Sequence, residues 1–376
     1  MNVVHLSPNL HPGGVCQMAA DLAIHLQMGG VDNIVVSPPH ELVGHLAAAG
    51  IKHLAGRRPN AFTLLREARR LRNILRTHGA DILQVYTAEA AWTARLACRG
   101  LAPGKRPPIV GALSGYPRRG LIASGWSICD TFTVVSKHQR RLLNSAQTFF
   151  RQKTPWVIPY GICETLCHPG YRPSPDWMEQ WKRTRPEAEG HYALCIPGSI
   201  TPLHGLEDLV PLMKTLLQGG IPAHAYIAGD SRRADPSYLE HLRTLFAREQ
   251  LDNHITWLGA RPDLRDVISV CHVTLSLAHA PSTYDKAILE ALALGCPVAG
   301  YDHGSVGEIL SAFLPEGRVA PCDTSALADT LIQWHTYRPD TVSEIPYPYR
   351  MTDMAGNYRE LYQSLLREEQ TSPPQP

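Results

Sequence analysis

The sequence predicts an α/β protein made of two doubly wound, Rossmann-like domains, each a parallel sheet with helices on both faces. Short apolar runs alternate with segments whose apolar residues repeat at helical spacing, and this alternation is typical of parallel sheets. The same rhythm begins again after the Pro- and Gly-rich segment 157–175. A chain of 376 residues is also long enough for two domains, at roughly 100–200 residues each.

The first domain is expected to span residues 1–165. Its strands are predicted in short apolar runs at 2–7, 33–38, 82–87, 108–113 and 132–136. The clearest helices are predicted at 15–28 and 62–77, where apolar residues recur every three or four positions. One more amphipathic helix is predicted at 350–370, and we expect it to pack back onto this domain.

The second domain is expected to span residues 170–345. Its strands are predicted at 191–199, 224–230, 254–259, 273–278, 297–302 and 318–322. Open α/β sheets bind ligands outside the carboxyl ends of their strands. Two such domains are therefore expected to leave a cleft for ligands between them.

Charge is distributed unevenly along the chain. The sequence has 36 Lys and Arg against 34 Asp and Glu, a net charge of +2. Residues 1–160 carry 19 basic and 7 acidic side chains, a balance of +12, which leaves −10 for residues 161–376. The first domain is therefore the one expected to face anionic lipid or a phosphorylated acceptor.

A basic amphipathic helix is the main source of this charge. Segment 62–77 places leucines on one side and arginines, among them Arg69 and Arg72, on much of the rest, a pattern that can lie against anionic lipid. Arg118 and Arg119 add charge to the same domain. The alternative is a solvated basic face with its leucines packed on the sheet. Nucleic acid is not expected, because no binding motif accompanies the charge and Phe and Tyr are not interleaved with it.

Neither a membrane span nor a secretion signal is predicted. No run approaches the roughly 20 apolar residues of a span, and the N-terminus lacks a basic start with a long apolar core. A cytoplasmic protein is expected, and a peripheral position on the inner membrane is left open. Cys163, Cys167 and His168 lie close together, but no second pair at the spacing of a zinc module accompanies them, so no metal site is predicted.

A Pro-Gly-Gly turn connects the first strand to the first helix. Gly13 and Gly14 let the backbone approach a ligand closely, and the free N–H groups of a helix start favour an anion. An ordinary tight turn would have the same sequence. The turn lacks the G-x-G-x-x-G spacing, which disfavours a nicotinamide or flavin dinucleotide.

The second domain carries polar residues at the ends of two predicted strands. Ser199 and His204 follow one strand; Asp285 and Lys286 precede a helix whose opening turns contain Glu290. A carboxylate among the apolar residues around Glu290 needs a hydrogen-bonding partner. Ribose hydroxyls would be suitable donors, and local backbone or solvent is the alternative.

Over almost its whole length, the chain resembles a family-4 retaining glycosyltransferase of GT-B fold. The segments that carry the resemblance are, in chain order, PGGV at 12–15, TVVSKHQRRLL at 133–143, WVIPYGICETLCHP at 156–169, PGSITPLHGLEDLV at 197–210, AYIAGD at 225–230, ITWLGARPDLRDVIS at 255–269, LEALALGCPVAG at 289–300 and GSVGEIL at 304–310. The resemblance implies a nucleotide-sugar donor in the second domain and an acceptor on the side of the first.

The chain departs from the family pattern where donor and acceptor are expected to bind. Ser199 and His204 stand where the family has the Arg and Lys that neutralise the donor pyrophosphate. Ser282 replaces the first glutamate of the E-x7-E pattern, so that only Glu290 remains, expected at the ribose. Ser114 replaces the acceptor-side histidine.

Neighbouring residues are expected to compensate for these losses. An Asp-Lys pair before the LEA sequence occurs in a subgroup of similar proteins, which suggests that Lys286 supplies phosphate charge and Asp285 contacts the donor sugar or acceptor. His204, whose pKa a nearby phosphate would raise, is expected to complete the clamp with the amides of Gly13 and Gly14. The alternatives are that Lys286 is a solvated lysine at a helix start and that His204 is a surface turn residue. No D-x-D pair occurs, so a metal bridging the diphosphate is not expected.

The resemblance implies a hexosyl-type glycosyltransferase without a cofactor, using a nucleotide-sugar, expected to be a UDP-sugar. Retention would proceed by front-face attack, in which the departing phosphate oxygen deprotonates the acceptor and no protein nucleophile is needed. The expected acceptor is a cell-envelope glycan or glycolipid, such as a lipopolysaccharide core or a polysaccharide precursor.

Two other functions stay open. One is a GT-B sugar-nucleotide epimerase, whose sequence motifs differ from those found here. The other is a degenerate glycosyltransferase that binds a glycan or a partner without catalysis, a hypothesis motivated by the missing Arg, Lys, Glu and His.

Overall fold

The computed structural model describes most of the chain as two compact units. The described residues are 1–7, 14–39, 41–57, 62–102, 106–116, 123–146, 153–341 and 344–371. The first unit contains Met1–Gly161 and Tyr347–Pro376, and the second contains Ile162–Pro346. The C-terminal helix therefore belongs to the first unit.

The first unit alternates strands and helices. Its strands are β1 Asn2–Leu6, β2 Asp32–Ser37, β3 Lys52–Ala55, β4 Ile82–Val85, β5 Ile109–Leu113, β6 Thr131–Val134 and β7 Trp156–Val157. Its helices are α1 Gly14–Met28, α2 Val43–Ala48, α3 Leu64–His78, α4 Ala88–Cys98, α5 Lys137–Ala146 and, at the C-terminus, Met351–Thr371, which is α13 below. The short 3-10 helix Ala123–Ile128 precedes β6.

All seven strands of this sheet are parallel, in the order β3-β2-β1-β4-β5-β6-β7. The order reverses between β1 and β4, which makes the sheet doubly wound. The residues of β4 and β5 are buried throughout, as expected when helices cover both faces.

Helix α13 is joined to the sheet by two buried hydrogen bonds. The Tyr362 hydroxyl donates to Oε1 of Gln84 in β4 at 2.8 Å, and the hydroxyls of Tyr358 and Thr133 in β6 lie 2.7 Å apart. Both tyrosines are almost fully buried. The polar ends of these side chains are thereby satisfied while their rings add to the core.

The second unit repeats the same architecture. Its strands are β8 Tyr192–Pro197, β9 Ala223–Ala228, β10 Ile255–Trp257, β11 Val273–Ser276, β12 Val298–Tyr301 and β13 Arg318–Val319. Its helices are α6 Pro175–Thr184, α7 Leu209–Gln218, α8 Pro236–Arg248, α9 Leu264–Val270, α10 Lys286–Ala293, α11 Gly304–Phe313 and α12 Thr324–Thr336. Short 3-10 helices at Pro202–His204 and Leu206–Asp208 connect β8 to α7.

The sheet of the second unit is also parallel and doubly wound. Its strand order is β10-β9-β8-β11-β12-β13, so the direction of winding reverses between β8 and β11. Residues from the carboxyl ends of these two neighbouring strands meet there, and in open α/β sheets this is the usual ligand position.

The predicted α/β fold of two parallel-sheet domains is confirmed. The sequence analysis did not predict two edge strands, β3 and β7. Strand β3 is KHLA, with no fully buried residue, and β7 is only two residues long, with Val157 at the start of the segment interpreted as a connection. Edge strands that are short and partly exposed lack the apolar run that identifies a central strand.

Candidate functional site

A cavity of about 200 Å³ lies at the carboxyl ends of β8 and β11 in the second unit. Its walls include five residues singled out from the sequence, Ser199, His204, Ser282, Asp285 and Lys286. They come from two loops that are far apart in sequence, and the reversal of winding brings these loops together.

Larger cavities lie elsewhere, and two of them exceed 500 Å³. One, of about 520 Å³, includes Tyr192 and Val273, the first residues of β8 and β11, and so lies at their amino ends. The other, of about 620 Å³, is in the first unit and includes Leu75 and Arg106. Volume alone does not identify the site; the cavity at the carboxyl ends is preferred because ligands of open α/β sheets bind there.

The loop after β8 places His204 against the backbone of Gly198. Gly198 has a φ of +138°, and a Cβ atom there would lie 3.3 Å from Cδ2 of His204. Nδ1 of His204 lies 2.8 Å from the Thr201 hydroxyl, which orients the ring. Burial lowers the pKa of His204, so its imidazole is biased toward the neutral form.

Asp285 caps helix α10 from inside the cavity wall. Its Oδ1 accepts a hydrogen bond from the backbone N–H of Ile288 at 3.4 Å, a long N-cap contact. Burial raises its pKa from 3.8 to about 6, although backbone N–H groups act in the opposite direction. The carboxyl group therefore changes charge at about pH 6, in weakly acidic solution.

Lys286 and Glu290 form an ion pair along α10. Nζ of Lys286 lies 2.9 Å from Oε1 of Glu290, with both side chains partly exposed. Of these two predicted site residues, only Lys286 lines the cavity. The structure thus pairs the predicted phosphate ligand with the predicted ribose ligand.

Ser282, at the position of the missing family glutamate, is held to the start of α11. Its hydroxyl lies 2.8 Å from that of Ser305, and its carbonyl accepts the Ser305 backbone N–H at 3.0 Å. Gly304 has a φ of +61°, and a Cβ atom there would lie 2.7 Å from the Ser282 backbone. A glycine is therefore required for this close approach.

His303 was missed by the sequence analysis. It precedes α11 directly after β12, and both ring nitrogens are buried without a hydrogen-bonding partner among the described residues. The sequence did contain a signal for His303. This histidine follows the predicted strand 297–302 and directly precedes a Gly-Ser helix start.

The predicted site residues of the first unit are only partly described. Gly14 opens α1 with a φ of +54°, a conformation that favours glycine. Ser114 is half-buried directly after β5. Gly13, Arg118 and Arg119 lie outside the described residues.

Two predicted arginines of the basic helix α3 differ in their surroundings. Arg69 is exposed, whereas Arg72 donates from Nε and Nη2 to the carbonyls of Ala97 and Leu96 at the end of α4, at 3.0 and 2.9 Å. This use of its guanidinium argues against Arg72 as a ligand for acceptor or lipid. No helix within the described ranges combines the length and apolarity that crossing a membrane requires.

Family models match both units of the chain. The model described as "Glycosyltransferase Family 4" matches residues 12–164, and the one described as "Glycosyl transferases group 1" matches residues 191–336. The chain carries the two domains of a GT-B glycosyltransferase. No curated protein sequence matches it.

Solved glycosyltransferase structures share the fold of this glycosyltransferase over nearly its whole length. One, from Rickettsia africae, is 18% identical with a TM-score of 0.83, over 97% of this chain and 98% of its own. HepE of Anabaena, solved with UDP and glucose, is 16% identical with a TM-score of 0.73, over 99% and 100%. The lipopolysaccharide outer core galactosyltransferase WaaB is 11% identical with a TM-score of 0.64, over 98% of each chain.

Proposed function

We propose that this glycosyltransferase transfers a hexosyl unit from a UDP-sugar to a cell-envelope glycan or glycolipid, with retention of configuration and without a metal in the reaction. The observation that carries the proposal is the cavity at the carboxyl ends of β8 and β11, where Lys286 stands at the start of a helix. The complex of the similar protein HepE with UDP supports the choice of donor.

The donor diphosphate is proposed to bind at Lys286. The ammonium group and the positive end of α10 both favour an anion there. Burial lowers the pKa of His204, which favours the neutral imidazole, and a neutral imidazole can still donate one hydrogen bond to a phosphate oxygen. The exposed Ser199 hydroxyl can donate another. These groups act where negative charge develops as the bond from sugar to phosphate breaks.

The Lys286–Glu290 pair is proposed to exchange partners when the donor binds. The diphosphate carries more negative charge than a single carboxylate, so it competes for the ammonium group of Lys286. Glu290 is then free to accept hydrogen bonds from the ribose hydroxyls. Its carboxylate thus has a partner in both states, as a partly buried charge requires.

Asp285 is proposed to contact the donor sugar or the acceptor hydroxyl. With a pKa raised to about 6 by burial, the carboxyl group is partly protonated in weakly acidic solution, which reduces its repulsion of the diphosphate. The acceptor proton itself is proposed to pass to the departing phosphate oxygen. The reaction then needs no nucleophile from the protein.

The acceptor is proposed to be held at an anionic membrane surface by the first unit, at the inner face of the membrane. Beside α3, Phe62 is 98% exposed and Leu65 is 62% exposed. Arg66, Arg69 and Arg70 are exposed on the same helix. Apolar side chains flanked by arginines are the combination by which amphipathic helices bind anionic lipid.

A second candidate function is binding without catalysis. It is favoured by the hydrogen bond that joins Ser282 to Ser305, because the position of the family's sugar-binding glutamate serves here to hold a helix start. A degenerate glycosyltransferase would bind a glycan or a protein partner and release no nucleotide diphosphate from a donor.

Thermal unfolding in the presence of UDP-, GDP-, ADP- and CMP-sugars tests the proposal. A ligand at 100 times its Kd should stabilise the protein by roughly 2.7 kcal/mol. We expect UDP-sugars to raise Tm and the purified protein to release UDP when an envelope glycan is added. Binding without UDP release from any acceptor would favour the second candidate, and the absence of any shift would exclude the donor site.

A further inference from the structure

A cluster of metal-binding side chains lies beside the cavity in the second unit. The cluster consists of Asp208, His279 and Cys322. Each offers one ligand atom, and these three atoms lie within 4.8 Å of one another. Among the described residues, this is the sole group of three or more His, Cys, Asp or Glu side chains gathered so closely. The three follow β8, β11 and β13, so the carboxyl edge of one sheet assembles them.

Hydrogen bonds position the carboxylate of this cluster. Its Oδ2 atom lies 2.8 Å from Nε2 of His279 and accepts a short hydrogen bond from the Tyr301 hydroxyl. Tyr301 is almost fully buried at the end of β12. A phenol that fixes a ligating carboxylate in this way is the outer support that metal sites commonly have.

The backbone also holds His279 in place. Its N–H donates to the Leu203 carbonyl at 2.9 Å, and its ring packs against Gly205. Gly205 has a φ of +62°, and a Cβ atom there would lie 2.6 Å from Nε2 of His279 and 2.1 Å from the Leu277 carbonyl oxygen. A side chain at position 205 would displace the imidazole from the cluster.

Cys322 occupies an unusual conformation. Its φ is +61°, one of two positive values at non-glycine residues in the described chain, and such a residue costs about 1–3 kcal/mol unless its surroundings hold it there. It is exposed, whereas most of the nine cysteines are buried. The Cys322 thiol is therefore accessible, sits on a strained backbone position and lies beside a histidine and a carboxylate. This combination requires a functional explanation.

We propose that Asp208, His279 and Cys322 bind a divalent cation of the zinc class. Thiolate, imidazole and carboxylate together suit Zn²⁺ and Co²⁺ better than Mg²⁺ or Ca²⁺. Three protein ligands leave the fourth tetrahedral position for water. Ligand atoms that share such an ion lie roughly 3.3–3.8 Å apart, so rotations of exposed side chains suffice to close the cluster.

Binding removes one proton from the cluster and changes the tautomer of its imidazole. The thiol of Cys322 loses its proton to solvent and binds as thiolate. To bind the ion through Nε2, the neutral imidazole must carry its single ring proton on Nδ1. The proton that Nε2 donates to Asp208 in the metal-free protein therefore moves to Nδ1 by exchange with solvent, and the His279–Asp208 hydrogen bond is replaced by two bonds to the metal. One proton is released per ion from the thiol.

The ion would join the two loops that form the cavity. Asp208 follows Leu206, and His279 follows Ala278; Leu206 and Ala278 both line the cavity. The metal is therefore proposed to hold the two loops of this cavity together from outside, and it takes no part in the transfer itself. The inference stands on the cluster alone and does not depend on the proposed donor.

Cobalt binding to the full-length protein tests this site. We expect the reduced, chelator-treated protein to bind one Co²⁺ per chain, with a thiolate-to-cobalt absorption band in the near ultraviolet that Zn²⁺ abolishes. His279→Gln and Tyr301→Phe should weaken binding, the latter by about tenfold, because outer-shell partners contribute 10–100-fold to affinity. A protein without this band overturns the proposal.

Two cysteine variants separate metal binding from folding. Cys322→Gly should lose the band yet fold at least as stably, because glycine prefers the positive φ at this position. Cys163→Ser, at the half-buried cysteine that contacts Thr165, should keep the band. A band that survives in Cys322→Gly, or disappears in Cys163→Ser, also overturns the proposal.

Discussion

Nζ of Lys286 lies 2.9 Å from Oε1 of Glu290, one helical turn along α10. The side chains are 34% and 20% exposed, so the pair contributes only about 0.3–0.5 kcal/mol to stability. Because this contribution is small, the two side chains would separate readily if a ligand bound each of them more strongly. The proposed exchange of partners on donor binding would therefore cost the fold little stability.

Replacing Lys286 by Ala should weaken UDP binding by about tenfold or more, because hydrogen bonds to charged groups are worth roughly 1.5–3 kcal/mol. Tm should change little, since the ion pair is partly exposed. Isothermal titration calorimetry with UDP measures the effect. The matched control is Lys214→Ala, which removes the Lys214–Glu249 ion pair of the same unit and should leave UDP affinity unchanged. Equal affinity in both variants would remove Lys286 from the donor site.

Asp285→Asn should stabilise the protein at pH 7.5 and lose this advantage near pH 4. Burial raises the folded pKa of Asp285 to about 6, above its ordinary 3.8, so the folded state binds the extra proton between these values. The stabilisation is therefore complete below about pH 4 and is lost as pH rises through about 6. Asparagine keeps an N-cap without the charge. Urea unfolding between pH 4 and 8 measures the difference.

Asp235→Asn provides the opposite control. Asp235 also caps a helix, α8, but hydrogen bonds from the Ser237 hydroxyl and from the backbone of Tyr238 and Ser237 lower its pKa. Its carboxylate stabilises the protein at neutral pH, and this contribution is lost as pH falls below its ordinary value. The same pH trend in both variants would contradict the assignment for Asp285.

Gly198→Ala should reduce nucleotide binding. A Cβ atom at φ +138° is strained by roughly 1–3 kcal/mol and lies 3.3 Å from the His204 ring. Gly220→Ala is the matched control, because Gly220 also has a positive φ, +79°, but a Cβ atom there meets nothing within 4 Å. Both variants should lose stability. If both also bind UDP equally well, the contact between Gly198 and His204 does not shape the pocket.

Substitutions on α3 and at Phe62 just before it should weaken binding to vesicles that contain phosphatidylglycerol. Phe62→Ala with Leu65→Ala removes exposed apolar area, and Arg66→Glu with Arg69→Glu reverses charge. Binding should also weaken in 1 M salt, where the Debye length falls to about 3 Å. Vesicle sedimentation measures the bound fraction.

The double variant Arg243→Glu with Arg248→Glu on α8 of the second unit serves as the control for net charge, because it changes the charge by the same amount as the α3 pair. It should leave vesicle binding nearly unchanged. Binding that persists in the α3 variants, or that needs no anionic lipid, would refute the membrane-facing role of this helix.

Tyr362→Phe should destabilise the protein by about 1–3 kcal/mol. The variant leaves Oε1 of the fully buried Gln84 without its donor, and Nε2 of Gln84 already has no partner among the described residues. Tyr347→Phe removes a hydroxyl that donates to Asn357 at the surface and should cost less than about 0.5 kcal/mol. Equal losses in urea unfolding would show that the hydrogen bond to Gln84 does not anchor α13.

The sequence by itself determined the architecture of this protein. Runs of buried β-branched residues identify the central strands, and their alternation with helical periodicity dictates two parallel sheets. The edge strand β3 was not predictable in this way, because its residues face solvent in part and pair only along one side. Polar residues after β8 and β11 were also visible in the sequence, since the carboxyl ends of strands in a doubly wound sheet meet at one place.

Only the tertiary structure decided what those polar residues contact. His279 and Asp208 are 71 positions apart in sequence yet share a hydrogen bond, and Cys322 joins them from a third loop. Arg72 looks like a surface cation in the sequence but donates to the end of α4. Periodicity reports which face of an element is buried; the partner of a side chain depends on which distant loops the sheet brings together.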